Sequence, residues 1–135
     1  MLVQKSNRYN HDYWETRASQ RTLSMVYMIY DDLRDVLGNY ALHYTGAYIG
    51  IQKGGKPCNF VYFRPQKNDL WMHVVGTKET AAFVKSHNLE VRFWSDKQPQ
   101  QMKIRINSIS EYNRHRDLLR TIIRNAQCIL ERPNH

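Results

Sequence analysis

One stretch of the chain, from Asn59 to Val74, restricts the fold more than any other. It reads NFVYFRPQKNDLWMHV, in which two apolar segments flank the turn-forming residues from Pro65 to Asp69. Side chains in a strand alternate between the two faces of a sheet, so the stretch predicts two adjacent antiparallel strands. Both faces of this hairpin carry large side chains. A core on one face therefore leaves a second face whose role has to be explained.

The other elements follow from hydrophobic periodicity and capping residues. Apolar residues from Leu23 to Leu37 recur at steps of three and four, which predicts one amphipathic helix over 13–37 that ends at Gly38. Strands are predicted over 48–51, 89–94 and 102–107, and further helices after the N-caps Thr77 and Ser110. The predicted order is αβββαββα. We expect a two-layer α+β fold, an antiparallel sheet of about five strands with three helices on one face.

Length and composition favour a single domain over 13–130, with a flexible leader at 1–12 and a tail at 131–135. The formal net charge is +8, and the excess is central, since residues 41–110 hold ten Lys and Arg against four Asp and Glu. A basic balance of this size favours nucleic acid as a partner, with an anionic membrane surface second.

The two cysteines, Cys58 and Cys128, have no metal or redox spacing, which is typical of reduced thiols in a cytoplasmic protein. The start of the chain lacks the apolar segment of a signal peptide, and no run is long enough to span a bilayer. We therefore expect a cytoplasmic location and no membrane partner.

Assigning the alternating residues places an apolar set under the helices and a mixed set, which includes Phe60 and His73, on the second face of the sheet. The mixed set combines aromatic rings with cations, as on surfaces where bases stack while cations contact phosphates. The residues predicted to bind nucleic acid on this face are Tyr62, Arg64, Trp71, Arg92, Trp94, Lys103 and Arg105. The same composition is also typical of a face covered by a terminal segment, a neighbouring domain or a second copy of the chain.

A second basic feature lies on the last predicted helix. Arg116, Arg120 and Arg124 recur at steps of four, opposite the apolar stripe. Such a row can follow a phosphate backbone, so these three arginines are added to the predicted nucleic-acid contacts. A solvated helix face gives the same pattern.

The sequence offers little for catalysis. The six histidines form none of the clusters typical of metal sites, so neither a metal nor a cofactor is expected. Asp69 with Glu90 and Arg92 is the nearest approach, similar to the acid, acid-x-lysine pattern that holds magnesium in nucleases. Arginine replaces the lysine, and a guanidinium is a poor base. A metal-dependent nuclease is therefore a remote alternative.

Three stretches give the chain a resemblance to a known group of domains. They are YWETRASQRTLSMV, YIGIQKGGKPCNFVYFRPQKNDLWMHV and KIRINSISEYNRHRDLLRTIIRNAQ, which together extend over 13–127. In them the chain resembles the small α+β domains of the YjbR/MmcQ type, the double-wing folds. It resembles more closely uncharacterised C-terminal domains of bacterial defence, restriction and mobile-element proteins. The loop SDKQPQQ departs from the tryptophan-glycine turn of such domains, so no site in that loop is carried over.

The resemblance implies a non-enzymatic module, suspected to bind DNA and often attached to a larger protein, and it brings no catalytic residues. Together with the charge, it leads to the hypothesis of a nucleic-acid-binding or nucleic-acid-associated accessory module, with DNA favoured over RNA. The alternative is a protein-interaction or dimerisation domain of a larger bacterial or phage-related protein, whose aromatic face docks on another domain or on itself.

Overall fold

The computed structural model describes residues 9–95 and 100–130, without the side chains of Trp94 and Ser95. Over these residues the protein is α+β, with a six-stranded antiparallel sheet and five helices. The α+β prediction is confirmed, whereas the predicted numbers of about five strands and three helices are too low. The helices are α1 (His11–Arg17), α2 (Gln20–Leu37), α3 (Lys78–Lys85), α4 (Ile109–Arg114) and α5 (Arg116–Leu130). The strands are β1 (Ala41–Tyr44), β2 (Ile49–Lys53), β3 (Lys56–Pro65), β4 (Leu70–Val75), β5 (Glu90–Ser95) and β6 (Gln101–Ile106).

The helix predicted over 13–37 is two helices, because the chain is extended at Ala18 and Ser19 caps α2. The Ser19 hydroxyl accepts from the backbone N–H of Thr22, while the Thr22 hydroxyl accepts from the N–H of Ser19. This capping box has threonine where glutamate or glutamine is usual, which hides it in the sequence. Helix α1 begins at His11, inside the segment predicted as a leader, and residues 1–8 lie outside the described part. The stop at Gly38 is as predicted, and its φ of 97° is the left-handed geometry that glycine accepts.

The last predicted helix also divides, and its N-terminus is Ser108 instead of Ser110. The Ser108 hydroxyl accepts from the N–H of Glu111, and the Glu111 carboxylate accepts from the N–H of Asn107 at 2.8 Å. Ser108 and Glu111 have the S-x-x-E spacing of a capping box, so the signal was present in the sequence. His115 caps the C-terminus of α4, and α5 follows.

The strand order in the sheet is β1-β2-β3-β4-β6-β5, with every neighbouring pair antiparallel. Strand β1 was not predicted, because four residues with half-exposed side chains give too short an alternation to detect. Helices α2 and α5 contact β3 and β4, whereas α3 contacts the edge strand β5. The buried side chains of the sheet form one cluster with those of the helices.

The register confirms the predicted core set on β3, β4 and β6. Val61 pairs with Val74, which pairs with Met102, and all three are buried. Phe60, which alternation places on the second face, is instead 1% exposed, and its ring contacts Tyr40 edge-on. The β2–β3 register shifts between Gly50 and Gln52, and strict alternation does not extend past this irregularity.

Candidate nucleic-acid interface

Two rows of side chains cross the second face of the sheet. In the first row, Tyr62 on β3 pairs with His73 on β4, then Lys103 on β6 and Arg92 on β5. In the second row, residues from the same four strands follow one another as Arg64, Trp71, Arg105 and Glu90. The structure therefore brings Tyr62, Arg64, Trp71, Arg92, Lys103 and Arg105 onto one face, as the alternation predicts. Trp94 lies in the backbone of β5, but its side chain is outside the described part, so its role stays a prediction.

The aromatic rings of the first row stack on one another. The Tyr62 ring lies 4.5 Å from the His73 ring, centroid to centroid, at an interplanar angle of 20°. On its other side the Tyr48 ring lies 4.5 Å away. Gly50 makes this possible, because a Cβ there would come within 3.0 Å of Tyr48 Cε1. The Tyr62 ring is thus packed between two neighbouring rings and is half-buried, and burial raises the pKa of its hydroxyl.

His73 is the most deeply buried titratable group of this face, at 2% exposure. Burial, together with the positive charges of Arg64 and Lys103, lowers the pKa of its imidazole to about 4. A histidine with this pKa is neutral at physiological pH. His73 therefore acts as a flat, uncharged ring against Tyr62.

Trp71 has cations against its ring. The guanidinium carbon of Arg92 lies 5.2 Å from the ring centroid, and that of Arg105 lies 5.8 Å from it. Both distances are within the range of cation–π interactions. The Trp71 ring therefore orients two guanidinium groups and has less free area for a stacked base.

Arg105 is also held by two carboxylates. Its Nη2 lies 2.6 Å from Asp69 Oδ2, and its Nη1 lies 3.1 Å from Glu90 Oε1. The hydrogen bonds that the guanidinium donates to Glu90 and to Asp69 raise its pKa. The two acids that suggested a nuclease do converge, but on a guanidinium group. In the described ranges, no group of three or more His, Cys, Asp or Glu side chains is placed to hold a metal ion.

A cavity of about 160 Å³ opens between the two rows, and we call it the small cavity. Its cations are Arg64, Arg92 and Lys103, and its other lining residues are Gln66, Trp71 and His73. Arg64 is exposed and forms no ion pair within the described part of the chain, while Arg92 reaches Glu90 only at 3.5 Å. Three cations thus converge on one opening large enough for a compact anion.

The arginine row of α5 has a different environment from the one predicted. Arg116 Nε donates to Asp32 Oδ1 at 2.9 Å, and Arg120 Nη1 donates to the same oxygen at 3.3 Å. The Tyr112 hydroxyl donates to Asp32 Oδ2 at 2.6 Å, and Arg124 Nη1 donates to the carbonyl of Val36 at 3.2 Å. The row therefore joins α5 to α2, and Arg116, Arg120 and Arg124 do not share a surface with the small cavity.

Asp32 is the residue of this contact that the sequence did not reveal, because its partners Tyr112 and Arg116 lie 80 and 84 positions further along the chain. The hydrogen bond from Arg116 lowers the pKa of its carboxyl group, with further lowering from Tyr112. The sequence signal that bears on it is the spacing of Tyr112, Arg116 and Arg120, which lie at steps of four on one side of α4 and α5. The spacing indicates that these three side chains can contact one partner, but the sequence did not identify Asp32 as that partner.

Comparison with known proteins yields no match for this chain among protein-family models, curated proteins or solved structures. The resemblance to the double-wing domains therefore stays a prediction. No helix in residues 9–95 and 100–130 combines the length and apolarity needed to cross a bilayer.

Proposed function

We propose that this protein is a non-enzymatic accessory module that binds nucleic acid through the second face of its sheet. The observation that carries the proposal is the convergence of Arg64, Arg92 and Lys103 on the small cavity. Cations arranged in this way neutralise phosphates, the groups that dominate the affinity of proteins for nucleic acids. The net charge of +8 adds long-range attraction.

In this proposal the aromatic residues do not stack on bases, which is the role that the sequence indicated for them. Tyr62 is stacked between Tyr48 and His73, and Trp71 contacts two guanidinium groups. Trp71 therefore orients the guanidinium groups of Arg92 and Arg105, while Tyr62 packs against its neighbouring rings. Arg105, held by Asp69 and Glu90, stabilises the end of the sheet more than it contacts phosphate. DNA is favoured over RNA only by the resemblance to double-wing domains.

The experiment is a fluorescence anisotropy titration of labelled single-stranded and duplex DNA at roughly 50 to 200 mM salt, the range over which phosphate contacts lose affinity steeply. Each lost contact should reduce the slope of log affinity against log salt by about 0.9 for a duplex and about 0.7 for a single strand. We expect a triple variant, R64A/R92A/K103A, to lose most of the slope. The triple variant K53A/K56A/K85A, which removes three exposed charges at the β2–β3 turn and on α3, is the matched control. Unchanged binding by R64A/R92A/K103A would refute the proposal.

The competing function is a protein-interaction or dimerisation domain. The observation that favours it is the row of interlocked rings, Tyr48, Tyr62 and His73, since aromatic residues are enriched at the cores of interfaces. Sedimentation velocity distinguishes the two functions. A concentration-dependent dimer that is insensitive to salt, together with no DNA binding at 50 mM salt, would favour protein interaction over the proposal.

A further inference from the structure

A second cavity, of about 380 Å³, lies beside the small cavity, and we call it the large cavity. Arg64 and Gln66 line both cavities, so the two are adjacent across the end of β3. The large cavity extends from there to Trp14 and Arg17 of α1 and to the turn between β1 and β2 at Ala47. None of these residues except Arg64 belongs to the face predicted from the sequence.

The walls of the large cavity are fixed by hydrogen bonds. Trp14 is 4% exposed, and its Nε1 donates to the carbonyl of Thr45 at 3.0 Å. The Lys67 ammonium group donates to the carbonyls of Thr16 and Ala18 at the end of α1, at 3.2 and 3.4 Å. Lys67 thereby joins the β3–β4 turn to α1. The cavity is therefore preformed, which reduces the cost of ordering a ligand in it.

The same turn is held from the side of α2. The Thr22 hydroxyl donates to the carbonyl of Gln66 at 2.5 Å, and Arg21 donates to the carbonyl of Asn68. These bonds use the backbone of Gln66 and leave its amide side chain at the boundary between the cavities. A side-chain amide both donates and accepts hydrogen bonds, which matches the mixed donor and acceptor edge of a nucleobase.

The sizes and lining groups of the two cavities indicate different occupants. The large cavity falls within the range of small-molecule sites, about 300 to 1,000 Å³, whereas the small one lies below it. The small cavity offers three cations, as a phosphate group requires. The large one also has Arg17 and Lys67 in its wall, but Lys67 donates to two carbonyls and the Arg17 guanidinium carbon lies 5.4 Å from the Tyr13 ring centroid. Besides these it offers the Gln66 amide, next to the buried side chains of Trp14 and Pro65, and an amide beside an apolar wall suits a flat heterocycle.

We propose that the two cavities form one bipartite site for a nucleotide unit. Its phosphate lies in the small cavity against Arg64, Arg92 and Lys103, and its sugar and base lie in the large cavity beside Gln66. This inference rests on the proposed function and adds to it a preference for an unpaired nucleotide. A paired and stacked base inside a duplex cannot enter a cavity without leaving the stack. The nucleotide can be free or can be part of a single strand, and the experiment separates these sources.

The first measurement is an NMR titration of the ¹⁵N-labelled protein that follows the indole N–H signals of Trp14 and Trp71. Trp14 lines the large cavity and Trp71 the small one. Inorganic phosphate should shift the signal of Trp71 alone, whereas dAMP should shift both signals. Because the chain has three tryptophans, the variants Trp71→Phe and Trp94→Phe assign the signals. A dAMP titration that leaves Trp14 unchanged would overturn the bipartite site.

The second measurement uses variants that fill space. Ala47 is exposed at the rim of the large cavity, and Ala82 is exposed on α3, so Ala47→Trp and its control Ala82→Trp add the same bulk at two surface positions. We expect Ala47→Trp to weaken binding of single-stranded DNA about tenfold, the size of one lost base contact, and to change duplex binding less than twofold. Equal effects of the two variants on single-stranded DNA would overturn the inference.

The outcomes separate this inference from the function on which it rests. If DNA binds with a steep salt slope while dAMP and Ala47→Trp have no effect, the phosphate-binding face stands and the bipartite site is refuted. If neither DNA nor dAMP binds, both proposals are refuted. A single strand that binds more tightly than dAMP supports the site with a strand as its ligand, and equal affinities support it with a free nucleotide.

Discussion

Two sets of three cations in this protein carry the same charge but have opposite surroundings. Arg116, Arg120 and Arg124 on α5 contact α2, where Asp32 and a helix-terminal carbonyl accept their hydrogen bonds. Arg64, Arg92 and Lys103 on the sheet line a cavity whose one deeply buried titratable group is a neutral imidazole, whereas the further cavity of about 570 Å³ that Arg120 and Arg124 line also includes the carboxylate residue Asp117. The positions of the carboxylates therefore decide whether a row of cations joins two helices or faces a cavity. Those positions depend on the fold, and the spacing of the cations in the sequence does not reveal them.

This difference has a physical origin in the positions of the carboxylates. On α5, the Asp32 side chain is 18% exposed, and the cations around it offset the loss of its hydration. On the sheet, Asp69 and Glu90 lie toward one end, where both pair with Arg105 and Glu90 also reaches Arg92 at 3.5 Å, while Arg64, Arg92 and Lys103 bring three positive charges to the small cavity. A surface of that kind gains stability when an anion binds.

Lowering the pH should reduce the free energy of unfolding through a different group in each region, and the largest reduction should come from His73 on the sheet. The folded state holds His73 neutral down to about pH 4, whereas the unfolded chain protonates it near pH 6.5. The unfolded state thus binds more protons between these values, so the free energy of unfolding should fall as the pH falls through this window, by roughly 3 kcal/mol in all. Urea denaturation at several pH values measures this loss. His73→Phe should lack it, and His87→Gln, at an exposed histidine, should retain it; equal slopes in both variants would contradict the assignment.

Removal of the α5 partner should have the next largest effect. Asp32→Ala leaves Arg116, Arg120 and the Tyr112 hydroxyl without their shared acceptor, and we expect it to lower the free energy of unfolding by about 1 to 2 kcal/mol. Because the pKa of Asp32 is lowered, this contribution is present above the ordinary aspartate pKa of about 3.9 and is lost as the pH falls through the lower folded value. Its window therefore lies below that of His73.

The control for Asp32 is another acid on the same helix. Asp35 is exposed and forms no ion pair in the described ranges, so Asp35→Ala should change stability by no more than about 0.5 kcal/mol. Denaturant unfolding of both variants at pH 7 gives the comparison. Equal stability of the two would mean that the α5 row is a solvated face, as its spacing also allowed.

DNA affinity should depend on the cations of the sheet and not on the arginines of α5. Arg64→Ala should weaken DNA binding at 50 mM salt about five- to tenfold and flatten the salt slope by about one contact, since Arg64 lines the small cavity. Arg124→Ala removes the same charge from α5, where the guanidinium contacts the carbonyl of Val36, and should leave the slope unchanged. Anisotropy titrations of both variants test this. Equal losses would indicate that net charge alone drives binding.

The sequence predicted some of these features and not others, for identifiable reasons. Strands β4 and β6 alternate cleanly, so the register that places Trp71, Lys103 and Arg105 on one face followed from period-two patterning. The break at Ala18 depends on an unusual capping box, and β1 is too short to show a period. The contact between Asp32 and Arg116 joins residues 84 positions apart, which no local pattern encodes. Likewise, the rings of Tyr62 and Trp71 are contacted by His73 and Arg92, side chains from other strands, and alternation along one strand does not predict such contacts.

The smallest expected effect is the energetic coupling between Trp71 and Arg92. If Trp71 positions Arg92, the two residues should be energetically coupled, because the guanidinium carbon lies 5.2 Å from the ring centroid. A double-mutant cycle of Trp71→Leu and Arg92→Ala on DNA affinity should give a coupling energy of about 0.5 to 1 kcal/mol, as expected for an exposed cation–π pair. The matched cycle pairs Trp71→Leu with Arg124→Ala on α5 and should give none. Zero coupling in both cycles would mean that Arg92 reaches its phosphate without help from Trp71, and that only charge distinguishes the sheet face from the α5 row.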